Sequence, residues 1–321
     1  MKTNLNRRRF LKSTLLGPTA AGLGFCFEDR ALMAAAKETR AALPAPTTPS
    51  ATPMPHGKIG QLTISRLICG GNLTSGFAHS RDLIYVSSLL KNYFTDEKVF
   101  ATWKKCEENG INTAILRVDD NVARLITEYW HGVGGSMQWI AQCTLPKDDW
   151  KSAILKAVDK GAHAAFIHGG VADAYVKEKR FDELAKAIDL IRQNKLPAGI
   201  GAHMVEVPMA LTKQQIGVDF WMKTFNEKKY WSAGPMPRND SVFEETPEKT
   251  RDFMRTIDKP WIAYKVLGAG AIRPDEGFRY AFANGADFLC VGMFDFQVDE
   301  DARIARGILA ADLPRQRSWC A

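Results

Sequence analysis

Two lysines carry the first chemical signal in this chain. Lys223 ends the apolar run Val218-Asp219-Phe220-Trp221-Met222-Lys223, and Lys265 ends Trp261-Ile262-Ala263-Tyr264-Lys265. Both runs read as short strands, and burying an ammonium is costly unless it is paired or neutralised. On neighbouring strands of one barrel the two amines would share a mouth. Each would then lower the pKa of the other, and one would become a nucleophile at neutral pH. The chemistry implied is imine formation with a carbonyl compound.

Comparable positions, at the carboxyl ends of strand-like runs or in the loops after them, hold Asn72, Arg117 with Asp119 and Asp120, Gln142, His168, His203 with Glu206, Asn226 and Asp295. The amino ends of the same runs carry mostly ordinary residues. This one-sidedness argues for an enzyme or a tight ligand binder, because strand carboxyl ends build the active site of a parallel barrel. His168 and His203 are the candidate proton movers. Arg117, Asp119, Gln142, Glu206 and Asn226 are candidate substrate contacts, and Trp231 is placed to stack on a sugar face. Asp119 and Asp120 serve equally well as helix caps. With Arg117 beside two lysines, a carboxylate, a phosphate or an enolate is the favoured ligand group. A divalent metal is an alternative, with His168, His203, Glu206 and Asp295 as ligands from different strands. It would suit a sugar isomerase or epimerase.

The elements that must position these residues alternate along the chain. Strand candidates are 64–69, 112–117, 138–143, 163–168, 198–203, 218–223, 261–266 and 287–292. Between them lie amphipathic stretches such as Asp149–Lys160, Phe181–Asn194, Pro247–Ile257 and Pro274–Asn284. Pro247 and Pro274 fit first-turn positions, and Asn109-Gly110, Gly161, Asn194 and Asn284-Gly285 read as helix stops. Eight strand–helix units predict a single-domain α/β fold, the (β/α)8 TIM barrel, over residues 57–321. A doubly wound sheet would be supported by a Gly-x-Gly-x-x-Gly turn after the first strand, and none is present. The connection 224–246 is too long for an ordinary strand-to-helix loop and is a candidate lid.

Composition is that of a soluble protein: 45% hydrophobic and 25% charged over 321 residues. The net charge of +7 is concentrated at one end. Residues 1–36 carry Lys2, Arg7, Arg8, Arg9, Lys12 and Arg30 against Glu28 and Asp29, which is +4 and leaves +3 for the rest. That remainder is too small to argue for nucleic acid. Six cysteines, at 26, 69, 106, 143, 290 and 320, show no Cys-x-x-Cys spacing. Cys69, Cys143 and Cys290 read as small buried hydrophobes.

Arg7-Arg8-Arg9-Phe10-Leu11-Lys12 resembles the twin-arginine export motif. It is followed by a weakly apolar stretch from Ser13 to Phe25 and small residues at Ala34-Ala35-Ala36. The resemblance implies a signal peptide over 1–36, export through the twin-arginine translocase and a periplasmic location. The apolar stretch is too short for a stable membrane span. Residues 37–56, rich in Ala, Pro and Thr, read as a flexible linker.

Two further resemblances concern the barrel. Val218-Asp219-Phe220-Trp221-Met222-Lys223-Thr224 is similar to the strand of class I aldolases of the deoxyribose-phosphate aldolase type that ends in the imine lysine. Lys265-Val266-Leu267-Gly268-Ala269-Gly270-Ala271-Ile272-Arg273 and Asn284-Gly285-Ala286-Asp287 resemble the following segments of that family. The resemblance implies that Lys223 forms the Schiff base, that Lys265 depresses its pKa, and that Gly268 and Gly270 cradle an anion. Met222 is an extra residue relative to the shortest form of the motif, and a shift of one residue would turn Lys223 outward. Residues 57–77 resemble the opening of aldo-keto reductases, Gly110-Ile111-Asn112 their second-strand entry, and His168 their fourth-strand histidine. Where that family carries its tyrosine, this chain has Asp119-Asp120-Asn121-Val122, and Gln142 or Cys143 stands at its third-strand lysine.

The leading expectation is therefore an exported lyase of aldolase type acting on a small carbonyl or sugar-like substrate through a Schiff-base lysine, with no cofactor. The alternatives are an NADP-dependent oxidoreductase, a metal-dependent isomerase or epimerase, and a non-catalytic ligand-binding barrel.

Overall fold

A computed structural model describes residues 53–77, 83, 85–227 and 244–321, all within one compact unit. The signal segment, most of the linker, Trp231 and most of the long connection after Lys223 lie outside the described residues.

The chain first forms an antiparallel hairpin of β1 (His56–Ile59) and β2 (Leu62–Ser65), turning through Gly60 at φ +58°. The barrel strands follow: β3 (Leu67–Gly70), β4 (Thr113–Arg117), β5 (Gln138–Cys143), β6 (Ala164–Ile167), β7 (Ala198–Ala202), β8 (Phe220–Thr224), β9 (Trp261–Tyr264) and β10 (Phe288–Val291). Each pairs in parallel with the next, and β10 pairs back onto β3, so the sheet is closed. The helices α1 (Tyr85–Tyr93), α2 (Asp96–Glu108), α3 (Asp120–Glu128), α4 (Ser152–Asp159), α5 (Gly169–Lys177), α6 (Phe181–Gln193), α7 (Glu206–Lys213), α8 (Pro247–Met254), α9 (Pro274–Ala283) and α10 (Val298–Ala310) lie between and after the strands. This is the expected (β/α)8 barrel. Asn109, Asn194 and Asn284 cap the carboxyl ends of α2, α6 and α9, as their positions in the sequence imply.

The pleat sorts every strand into two sets of side chains. Ile68, Ile115, Ile140, Phe166, Phe220, Met222, Ile262 and Phe288 point inward and fill the barrel, and Ile59 and Ile64 of the hairpin close its amino end. The alternate residues, among them Trp139, Ile200, Trp221 and Trp261, pack outward into the layer beneath the helices. The C-terminal tail is tied to this same end. Asp287, fully buried, accepts from Arg317 (2.6 Å), the Trp261 amide (2.9 Å) and the Cys320 amide (2.9 Å).

Gly199 of β7 lies where two aromatic rings meet in front of the strand. Phe166 and Phe220 sit edge to face with centroids 6.4 Å apart. A Cβ on Gly199 would lie 2.4 Å from the Phe220 ring. Gly199→Ala is therefore expected to destabilise the protein by about 1–3 kcal/mol through overpacking. Urea unfolding checks this, and pairing the change with Phe220→Leu should recover part of the loss.

Candidate active site

A cavity of about 610 Å³ opens at the carboxyl end of the barrel. Of the residues expected to act, Arg117, Gln142, His168, His203 and Lys265 line it, together with Asn72. Lys223 does not. On β8, Phe220 and Met222 belong to the barrel interior, so Lys223 shares the outward set with Trp221. Its ammonium is fully buried beneath the helices, 2.6 Å from Glu244 Oε2 and 2.7 Å from the Thr224 carbonyl. Burial holds its pKa below the usual lysine value, against the opposing pull of Glu244. The two-lysine mouth is thus corrected: the extra residue Met222 takes the inward place.

Lys265 reaches the cavity by a different route. Ile262 and Tyr264 face inward on β9, so simple alternation would send Lys265 outward. Instead its backbone turns at φ +57°, which ends the extended run and resets the direction of the side chain. A non-glycine residue in this region costs about 1–2 kcal/mol, and such strain gathers at functional sites. Asn226, expected to touch substrate, is buried and donates to the Lys265 carbonyl at 3.1 Å. It acts as a positioning residue for that turn.

The two histidines face each other at a centroid separation of 6.3 Å. His203 follows β7, and its Nδ1 lies 2.7 Å from Asp173 Oδ2 on α5. An ionised carboxylate only accepts, so Nδ1 carries the proton and Nε2 keeps its lone pair. Asp173 also accepts from the amides of His203 (3.1 Å) and Met204 (3.3 Å), which fixes the dyad to the end of the strand. Burial lowers the pKa of His203, with the Lys265 and Lys223 charges adding and Asp173 opposing. His168 caps α5 and accepts from the Gly170 amide through Nδ1 at 3.2 Å, leaving Nε2 as its N–H. Burial, helped by His203, pushes it down to about 4. Both rings are neutral near pH 7. The Gly169 position has no room for a side chain: a Cβ there would lie 2.8 Å from the Tyr264 hydroxyl and 3.0 Å from His203 Cε1.

Arg117 is held from two sides, by Asp119 at 2.8 Å and by the Phe77 ring at 4.4 Å. Asp119 itself caps α3 through the Val122 amide (2.8 Å), so its part in the site is to orient Arg117. Asp120 pairs with Lys156 on the surface. Several expectations are not met. Glu206 pairs with Lys249 at 2.6 Å on an exposed face. Asp295 is taken by Lys98 (2.8 Å) and the Tyr93 hydroxyl. Neither lines the cavity, and no group of three metal-ligating side chains forms among the described residues. The amides of Gly268, Gly270, Ala271 and Ile272 bond to Lys265, Leu267 and Gly268 carbonyls within their own turn, so Gly268 and Gly270 offer no anion cradle. Cys143, at the place of the third-strand lysine, is buried facing outward, and burial raises its thiol to about 12. Sequence reasoning missed Asp173 and Tyr264. The parity of β9 could have placed Tyr264 inward, and Asp173 is the lone acid in the Gly169–Lys177 helix that follows His168.

No protein-family model matches the chain, and no curated protein matches it in sequence. Solved structures do resemble it. One described as a putative aldo-keto reductase from Pseudomonas aeruginosa has a TM-score of 0.59 at 14% identity, covering 82% of this chain and 98% of its own. An aldo-keto reductase from Bacillus halodurans, in its holo form, has 0.54 at 12%, covering 80% and 91%. A truncated 3-deoxy-D-arabino-heptulosonate 7-phosphate synthase from Thermotoga maritima has 0.51 at 14%, covering 83% and 95%. At such identities the likeness shows the TIM-barrel fold.

Two predictions follow from this geometry. Glu244→Ala leaves the Lys223 ammonium buried without its carboxylate and should cost about 3–5 kcal/mol in urea unfolding, whereas Lys223→Met with Glu244→Leu should recover most of it. His168 has its folded pKa depressed from 6.5 to about 4. The unfolded chain therefore takes up a proton that the folded one refuses, and stability falls as pH drops from 6.5 towards 4. Replacing the ring by His168→Gln should flatten that part of the stability curve.

Proposed function

We propose that this barrel is a lyase of aldolase type acting on a small anionic carbonyl compound, with Lys265 in the role the sequence suggested for Lys223. The observation that carries this reading is the joint presence of Lys265 and the His203–Asp173 dyad in one cavity. Among the described residues lining that cavity, the ionic side chains are Arg117 and Lys265, both cationic, which suits an anionic ligand.

In this reading Lys265 first passes its ammonium proton to solvent, and the resulting amine attacks the substrate carbonyl carbon. The carbonyl oxygen, polarised by a hydrogen bond from His168 Nε2–H, takes one proton from the attacking nitrogen and one from solvent and leaves as water, giving a protonated imine. His203 Nε2 then accepts the proton of the hydroxyl group on the carbon beyond the scissile bond. As that bond breaks, its electron pair moves into the imine and forms an enamine, and the hydroxyl carbon departs as an aldehyde. The proton on His203 returns to the enamine carbon, and water releases the ketone and regenerates Lys265. Arg117 would hold the anionic group, and Asp173 would keep His203 in the tautomer that can accept.

The reductase alternative finds less support. Gln142 stands in the cavity without an ionisable group, and the amides of Gly268, Gly270, Ala271 and Ile272 are engaged within their own turn. The metal alternative lacks its carboxylates, since Glu206 and Asp295 are engaged elsewhere. The twin-arginine-like segment supports delivery to the periplasm through the translocase, and no described helix is long and apolar enough to cross a membrane.

Borohydride reduction in the presence of a panel of sugar and keto-acid substrates, followed by peptide mass analysis, tests the reaction. A reduced adduct is expected on Lys265, lost in Lys265→Ala and kept in Lys223→Met. An adduct that survives Lys265→Ala overturns the assignment. Tight ligand binding with no adduct and no turnover across the panel would instead favour a non-catalytic binding barrel.

A further inference from the structure

The cavity is two-sided. Arg117, Gln142, His168, His203 and Lys265 form one side, and Leu73, Phe77, Leu83, Val86, Leu90 and Phe294 form the other. The apolar side comes from α1 and the loops after β3 and β10, while the polar side comes from strands β4 to β7 and the turn after β9. We propose that the substrate is an anionic carbonyl compound carrying an extended alkyl or aryl chain, its head among the polar residues and its chain along the apolar wall, rather than a compact polyhydroxylated sugar phosphate. This names the substrate class of the site described above and rests on that reading of it.

Three observations support the assignment. The volume, about 610 Å³, is in the range that encloses a drug-sized ligand and exceeds the needs of a short sugar. Exposed apolar side chains also occur on the same segments. Phe77 is 49% exposed, Leu83 52%, Leu89 61% and Phe296 67%, and Phe296 stacks on Phe294 with centroids 5.1 Å apart. Apolar side chains gathered at a mouth mark a place where an apolar group is bound. Finally, Phe77 joins the two halves, because its ring carries the Arg117 guanidinium at 4.4 Å. An anion at Arg117 therefore sits where the apolar wall begins. Hydroxyl groups laid against these apolar side chains would give up water to groups that cannot hydrogen-bond.

The experiment uses Lys265→Ala protein, so that imine chemistry does not enter, and measures dissociation constants by calorimetry. The probes are 2-oxobutanoate, 2-oxohexanoate, 2-oxooctanoate and 4-phenyl-2-oxobutanoate, with ribose 5-phosphate as the polar comparison. Affinity should tighten about fourfold for each methylene buried, and ribose 5-phosphate should bind more weakly than 2-oxooctanoate. Adding Leu83→Ser and Val86→Ser should reduce the dependence on chain length while leaving the melting temperature nearly unchanged. A dissociation constant that does not vary with chain length, tighter binding of ribose 5-phosphate, or a chain-length dependence untouched by the two serines overturns the proposal. The two readings fail separately. A missing borohydride adduct with the chain-length dependence intact removes the lyase reaction alone, and an intact Lys265 adduct with flat affinities removes the apolar substrate alone.

Discussion

The alternation of side chains along β8 decides what chemistry this protein can do. A strand in a closed barrel offers two directions only, into the interior or out beneath the helices. Phe220 and Met222 take the inward direction, which leaves Trp221 and Lys223 in the outer layer. No rotamer change carries Lys223 across the sheet. The register is fixed by the pairing of Met222 with Gly201 on one side and Ile262 on the other, and slipping it by one residue would send Phe220 and Met222 out and Trp221 in. A motif that looks reactive in one dimension is therefore turned into part of the frame.

What remains in the cavity is a field set by burial as much as by charge. Arg117 and Lys265 are its cations, and the two histidines beside them are kept neutral by desolvation. Asp173 stands behind His203, where it orients the ring without placing a negative charge on the cavity lining. A base that is neutral, correctly tautomeric and flanked by cations is suited to taking a proton from a substrate that is itself anionic, because the cations offset the charge that develops.

The barrel was legible because its signals are local and repeated. All eight strand candidates are found within a few residues of their expected places, and Pro247 and Pro274 open their helices as first-turn prolines do. His168, His203, Arg117 and Gln142 were legible for the same reason: they stand at strand ends, and strand ends converge. Other features needed coordinates. The hairpin β1–β2 lies in the short stretch 56–65, which reads as the approach to the first barrel strand. The φ of Lys265 leaves no mark in the sequence, because the residues around it are as compatible with an extended strand. Glu206, three residues after His203, looks like its partner, but the chain enters α7 there and carries the carboxylate to Lys249. Asp173 was missed because the contact is made across 30 residues of sequence.

The long connection after β8 links these threads. At its start, Asn226 holds the carbonyl of Lys265. At its end, Glu244 accepts from Lys223 on the outer face of β8 and from Thr250 Oγ1 in α8 at 2.9 Å, while its second oxygen accepts from the Thr246 amide at 2.9 Å. A buried ion pair adds little net stability, but losing one member leaves a charge with nowhere to go, so the pair specifies where the chain returns rather than how tightly the protein folds. One end of the connection is thereby fixed to the turn after β9 and the other to β8. Lys223, removed from the cavity by one residue of register, anchors the chain where it returns to the barrel, and Asn226, three residues after it, holds the turn of the lysine that does line the cavity.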